Sequence, residues 1–412
     1  MLQVKSGSPN QAIRLVNYGH FLNHVIMLIY PTIALTISEV WPHSYGELLS
    51  AFFVGSMIYG IAAYPAAWIS DRWNAWYMLV IYLIGTGMAA IATGFAANLL
   101  QMFIGLSIIG LFASIYHPVG TAFVVRHAEN RAKELGKNGA WGTAGLASAS
   151  LIAAGLTFLF GWRAAFLLPG IASLLLGIVF LMSKSNLALT TREQTKKKQT
   201  SFRDLTTPEL IRVMSILTIT VLAVGLFTQA FTIGLPKLYD STLKHFIVLL
   251  NLDTFQGKLI SAAFVSMVIF FGSFGQIIGG NLSSLWSPKN VYIGMFLFVL
   301  PLVFISIKTE GVGLIITGAF IMIAVTGCLP AENCILVNFV PEDWHARLFS
   351  IKFVIGLGGG SAAVLVNGYI FDQTIGFFWF FGFLGVLATI VIIGAVLLPP
   401  VKVHRRDGKQ CF

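Results

Sequence analysis

The sequence predicts an all-α polytopic membrane protein, with twelve transmembrane helices in two pseudo-symmetric six-helix bundles. Three observations lead there. First, only 10% of the 412 residues are charged, against about 25% in a soluble globular domain, too few to build a water-facing surface. Second, the apolar residues (57% of the chain) gather in long blocks: Leu79–Ala97, Ser148–Phe160, Phe166–Met182 and Val291–Ile307 contain no Asp, Glu, Lys or Arg. Third, weak sequence matches recur in order at a nearly constant offset between the two halves.

A hydrocarbon core of about 30 Å takes about 20 residues of helix, a length these blocks reach with their uncharged neighbours. Taken in order, the helices are expected near 13–38 (α1), 47–69 (α2), 75–96 (α3), 99–125 (α4), 138–160 (α5) and 162–183 (α6). The second set is expected near 211–237 (α7), 257–285 (α8), 289–308 (α9), 312–338 (α10), 347–370 (α11) and 375–399 (α12). Ser183–Leu210 between them is long, polar and basic, with no hydrophobic period, and reads as a linker. The organisation is therefore an N-terminal bundle over 1–183, a cytoplasmic linker over 184–210, a C-terminal bundle over 211–400 and a basic tail over 401–412.

The internal repeat supports this division. Asp71-Arg72-Trp73 after α2 matches Ser284-Leu285-Trp286 after α8, 213 positions on. Pro118 in α4 matches Pro330 in α10, Gly145 in α5 matches Gly358 in α11, and Gly161-Trp162-Arg163 matches Gly376-Phe377-Phe378. Tyr30-Pro31 matches Leu235-Pro236 at the shorter offset of 205, which implies a longer loop after α7.

The net charge of +10 raises a nucleic-acid partner, but topology accounts for it. With the N-terminus inside, 21 of the 26 Lys and Arg fall on cytoplasmic segments, Lys352 counted among them, and five on outer ones. That bias points to both termini on the cytoplasmic side of the membrane, and Lys196–Lys198 needs no nucleic acid. Met1–Asn10 is polar and no small-residue cleavage site follows the first apolar segment, so no cleavable signal peptide is expected. Cys328, Cys334 and Cys411 make neither a disulfide framework nor a zinc motif, and Cys411-Phe412 lacks the spacing of a prenylation box. There is no Walker-type glycine loop.

Several motifs carry a family resemblance. Ala67–Trp76, with Asp71-Arg72 at its centre, resembles the Gly-x-x-x-Asp-Arg-x-Gly-Arg-Arg loop motif of the major facilitator superfamily; Ala67, Asn74, Ala75 and Trp76 replace its glycines and basic pair. Gly161-Trp162-Arg163-Ala-Ala-Phe166 and Gly356-x-Gly358-Gly359-Gly360 are similar to that superfamily too. Within it, His20-Phe21-x-Asn23 and Tyr116-His117-Pro118-x-Gly120 resemble the fosmidomycin-resistance group of bacterial transporters. The Gly-Pro motif of drug/proton antiporters is absent from α5, where Gly139-Ala-Trp-Gly142-Thr-Ala-Gly145 has no proline. The resemblance implies the major facilitator fold: two halves related by an axis along the membrane normal, moving about a central site lined by α1, α4, α7 and α10. It also implies that Asp71 and Arg72 lock an inner gate, Asp71 facing the N-terminus of α11.

The intramembrane polar residues are the candidate site. On α1, Asn17, His20 and His24 lie within about 60° of one another, with Asn23 beside them and Met27 close by. Facing lipid they would stay unsatisfied, so they should face protein or a wet cavity. Three readings stand: interhelical hydrogen bonding, cavity lining with substrate or proton contact, and a transition-metal site on the i, i+4 pair His20 and His24. The last needs further ligands, for which Met27 and the α10 cysteines are candidates. On α4, His117 precedes the helix-kinking Pro118 and follows Tyr116; packing and cavity roles are both open, and an imidazole titrates near neutral pH in water.

Glu332 is the one acidic residue well inside an expected span. A charge there costs at least about 2.5–3.5 kcal/mol, which points to proton coupling, substrate contact or a structural ion pair. Asn333 is adjacent but about 100° round the helix. On α7, Gln229 is a neutral hydrogen-bonding candidate for substrate.

The function expected is secondary, proton-coupled transport of a small organic solute by alternating access, export ahead of uptake. Uptake of a metabolite, metal ion or metal chelate is the alternative, and a non-transporting sensor or scaffold the alternative of another class. Neither an enzyme nor a resident cofactor is expected, the proton gradient being the energy source. The expected partners are membrane lipid and the solute, around a monomer.

Overall fold

The computed structural model describes residues 9–128, 131–183, 207–244, 248, 253–340 and 345–400. All regular structure among them is helical, and twelve helices are long and apolar enough to cross a membrane. They are α1 Asn10–Val40, α2 Tyr45–Ser70, α3 Ala75–Gly94, α4 Leu99–His127, α5 Lys137–Phe160 and α6 Ala164–Met182. The second six are α7 Pro208–Thr242, α8 Gln256–Leu285, α9 Pro288–Ser306, α10 Gly311–Phe339, α11 Leu348–Gln373 and α12 Phe378–Leu397. Most boundaries fall within a few residues of expectation. α7 is the exception: it runs five residues beyond the expected end at Lys237, because the buried Leu238 and Tyr239 carry the helix past Pro236. Most of the linker, with Lys196–Lys198, and the tail with Cys411 lie outside the described residues.

Local chemistry explains where helices start and turn. Ser44 and Glu47 close α2 with a capping box, Oγ accepting from the Glu47 N–H at 3.1 Å and the carboxylate accepting from the Ser44 N–H at 2.9 Å. Asn74, Asn98 and Thr207 accept first-turn N–H groups of α3, α4 and α7. The two repeat-related glycines, Gly161 and Gly376, both have positive φ (83° and 76°), Gly161 directly after α5 and Gly376 in the connection between α11 and α12.

Three helices break two to four residues before a proline: α1 at Ile29 (Pro31), α2 at Ala62 (Pro65) and α4 at Ser114–Ile115 (Pro118). A proline gives no N–H to the preceding turn and crowds its carbonyl. α11 instead contains a π-helical turn, Val354–Gly359, in its glycine run.

The residues group into two compact units, Met1–Gln194 with Asp253–Ser266, and Thr195–Leu252 with Met267–Phe412. In the first, α1 packs along α5, α2 along α4 and α3 along α6. In the second, α7 packs along α11 and α9 along α10 and α12. Glycines set the closest crossings: a Cβ on Gly55 or Gly110 (α2 and α4), or on Gly145 (α5 against α1), would overlap the opposing backbone. Gly225 meets Gly356 and Gly360 (α7 and α11) in the same way, and Gly279 meets Gly327 (α8 and α10). Large apolar side chains such as Phe160, Leu175, Phe304 and Ile393 are exposed, while Asn17, Asn23, Glu332 and Asn367 are buried, the distribution a lipid solvent favours. The first turns of α8 belong to the first unit, where Lys258 Nζ lies 2.6 Å from Glu39 Oε2.

Candidate functional site

In the first unit, the polar stripe of α1 meets α4 and α5. One helical turn separates His20 and His24, so their rings share a face, with centroids 5.0 Å apart and Nε2 atoms 3.2 Å apart. The break in α4 brings His117 against both, at centroid distances of 5.4 Å from His20 and 5.3 Å from His24. His20 is buried, whereas His24 and His117 are half-buried. The carbonyl of Asn138, at the start of α5, takes a hydrogen bond from His20 Nδ1 at 2.8 Å. A carbonyl only accepts, so Nδ1 bears the hydrogen and a neutral His20 presents its Nε2 lone pair to the other two rings. The Tyr116 ring stacks on His20 at 4.6 Å.

An amide network supports this cluster. Asn138 Nδ2 donates to Asn17 Oδ1 and to Tyr116 Oη, both at 2.8 Å. Tyr116 in turn donates to the Val16 carbonyl, and Tyr82 to the Gly19 carbonyl. Asn23 donates to Tyr59 Oη at 2.7 Å, and the Tyr59 ring lies edge-on to His117 at 5.8 Å. Gly142 lets α5 pass the His20 ring, which any Cβ there would strike.

In the second unit, Glu332 on α10 is 1% exposed and sits 2.5 Å from the Nζ of Lys352, itself 15% exposed. The other carboxylate oxygen accepts from Tyr292 Oη at 2.8 Å. The same ammonium donates to Asn333 Oδ1 at 2.5 Å, so one lysine bridges two adjacent residues that point about 100° apart. Lys352, one turn into α11, is therefore mostly withdrawn from water and held against α10. The helix carries it inward, and Glu332 supplies the counter-charge that makes its burial tolerable.

Gln229, Arg72 and Asp71 are the remaining candidates. Gln229 on α7 is half-buried, and its neighbour Thr228 bonds only its own helix, at Val224. Arg72 is exposed and stacks over Trp68 of α2 at 3.8 Å. The side chain of Asp71 lies outside the described residues. Cys328 and Cys334 are buried in α10 and join no metal-ligand group among the described residues; His117 takes the place beside His20 and His24 for which Met27 or a cysteine was considered. Sequence reasoning passed over Asn138, Tyr59, Tyr292 and Lys352. Asn138 left a signal, a lone amide in the first turn of an apolar helix; tyrosines and a terminal lysine are too common near span ends to stand out.

Comparison with known proteins is consistent with this architecture. Residues 19–307 match the sequence profile of a family described as the Major Facilitator Superfamily. The chain is 20% identical over 295 residues to the uncharacterized MFS-type transporter YfnC of Bacillus subtilis (strain 168), covering 70% of this chain and 69% of that one. Among solved structures, it is similar to a bacterial homolog of the human lysosomal transporter Spinster, inward-facing and occupied, with TM-score 0.70, 15% identity and 94% of each chain covered. The peptide transporter POT in complex with sulfate gives TM-score 0.73 at 12% identity, over 94% of this chain and 93% of that one.

Proposed function

We propose that this chain, which belongs to the Major Facilitator Superfamily and is a multi-pass membrane transporter rather than an enzyme, moves a small organic solute by proton-coupled alternating access. The observation that carries the coupling is the Glu332–Lys352 pair with Tyr292 and Asn333 around it. A buried ion pair holds only while both partners are charged. A proton on Glu332 removes the counter-charge of Lys352, and the ammonium must then find other acceptors or reach water. Proton occupancy thereby biases how α10 meets α11, and a two-state protein responds to such a bias by shifting its population. His20, His24 and His117 offer solute or proton contacts in the other unit, and Gln229 a neutral hydrogen bond.

Export agrees with the resemblance to the fosmidomycin-resistance group; uptake of a metabolite or metal chelate agrees with the missing α5 proline. The resemblance to bacterial transporters favours the inner (cytoplasmic) membrane, and the Lys and Arg distribution favours both termini in the cytoplasm. Asp71 and Arg72 act as gate residues in this reading. The test is reconstitution in liposomes with an imposed pH gradient, screening solute pools for wild type and Glu332→Gln. Gradient-driven accumulation that disappears in the variant supports coupling through Glu332. Full activity in Glu332→Gln with unchanged pH dependence would overturn it.

A further inference from the structure

We infer that His20, His24 and His117 form a binding site for one divalent transition-metal ion of the imidazole-preferring class, such as Zn²⁺, Co²⁺ or Ni²⁺. The inference stands on the geometry of the first unit alone and is independent of proton coupling at Glu332. Three observations converge. The ligand nitrogens of the three histidines all lie within 4.8 Å of one another, and two Nε2 atoms are already 3.2 Å apart. With metal–nitrogen bonds of about 2.0–2.1 Å and tetrahedral angles, ligand nitrogens stand about 3.3–3.4 Å apart and imidazole centroids about 5.2 Å apart. The three centroid separations here are 5.0, 5.3 and 5.4 Å. A modest turn of the side chains completes the set.

The second observation is outer-shell support. The Asn138 carbonyl holds His20 by Nδ1, the arrangement that fixes a metal-binding tautomer and aims Nε2 at the ion. Third, His24 and His117 retain exposed surface, which gives the ion a way in. Three neutral nitrogens leave a fourth position open for water or an anionic group, the pattern of exchangeable rather than closed structural sites. Imidazole donors select late first-row divalent ions over Mg²⁺ and Ca²⁺, which take oxygen. The competing arrangement is a His24–His20 hydrogen bond with ring packing and no ion.

The full-length protein, purified in detergent and stripped with a chelator, is titrated with Co²⁺ while the visible absorption of tetrahedral cobalt is followed, and with Zn²⁺ by calorimetry. One ion per chain is expected. His24→Gln and His117→Gln should each weaken binding by at least about 100-fold, beyond the ~10–100-fold that loss of an outer-shell partner produces. These two carry the test because His20→Ala also strips the Asn138 bond and endangers folding. Cys328→Ser and Cys334→Ser should bind as wild type does. X-ray absorption of the zinc form should show nitrogen neighbours at about 2.0 Å. Absence of binding to folded wild-type protein, or equal binding by the histidine variants, would overturn the proposal.

Discussion

Breaking the Glu332–Lys352 pair from either side should have unequal consequences. In Lys352→Met the carboxylate keeps only the Tyr292 hydrogen bond and faces a nearly closed environment, 1% exposed. Removing one member of a buried pair costs about 3–5 kcal/mol, most of it the penalty of the charge left behind. In Glu332→Gln the ammonium keeps Asn333 Oδ1 and gains the glutamine carbonyl, and Lys352 has the greater access to water, so a smaller loss of about 1–3 kcal/mol is expected. The double variant Glu332→Gln/Lys352→Met removes both charges and should be more stable than Lys352→Met alone. The buried thiols Cys328 and Cys334 supply the assay: a thiol-reactive fluorophore reports their exposure on denaturation, in a Cys411→Ser background. The order expected is wild type, then the double variant and Glu332→Gln, with Lys352→Met last. Losses that simply add in the double variant, within about 0.5 kcal/mol, would show that the two charges do not stabilise each other.

Three further outcomes follow from named contacts. Gly142→Ala drives a methyl into the His20 ring and should cost about 1–3 kcal/mol in the same thiol assay, with metal affinity falling alongside; wild-type values for both would mean that α5 does not pin that ring. Gly161→Ala and Gly376→Ala meet no neighbouring atom, so each should lose only the strain of a left-handed residue, about 1–2 kcal/mol; a much larger loss at either position would contradict that account. Asn138→Ala removes two donated hydrogen bonds while leaving its backbone carbonyl, and should destabilise by roughly 1–3 kcal/mol, leaving one-to-one cobalt stoichiometry in place.

These perturbations separate the two polar clusters by their chemistry. The first is built of imidazole, phenol and amide groups joined by hydrogen bonds. The second contains full charges in close contact, and its energetics turn on whether the carboxylate is ionised.

How much was legible beforehand follows from the range of the forces involved. A lipid solvent acts on every residue of a span, so the succession of uncharged blocks set the number and class of helices, and glycine and proline spacing exposed the repeat that relates the positive-φ glycines Gly161 and Gly376. The stripe of Asn17, His20 and His24 and the isolated Glu332 were equally visible, because a polar group at that depth is costly wherever it points. Partners were not. That His117 rather than a cysteine joins His20 and His24 depends on the α4 break and on glycines that let α5 approach α1. That Lys352 turns inward to bridge Glu332 and Asn333 depends on the packing of α11 against its neighbours. Solvation and helix period are read along the chain, whereas pairing joins residues 20 positions or 100 apart, and only the packed tertiary structure brings them together.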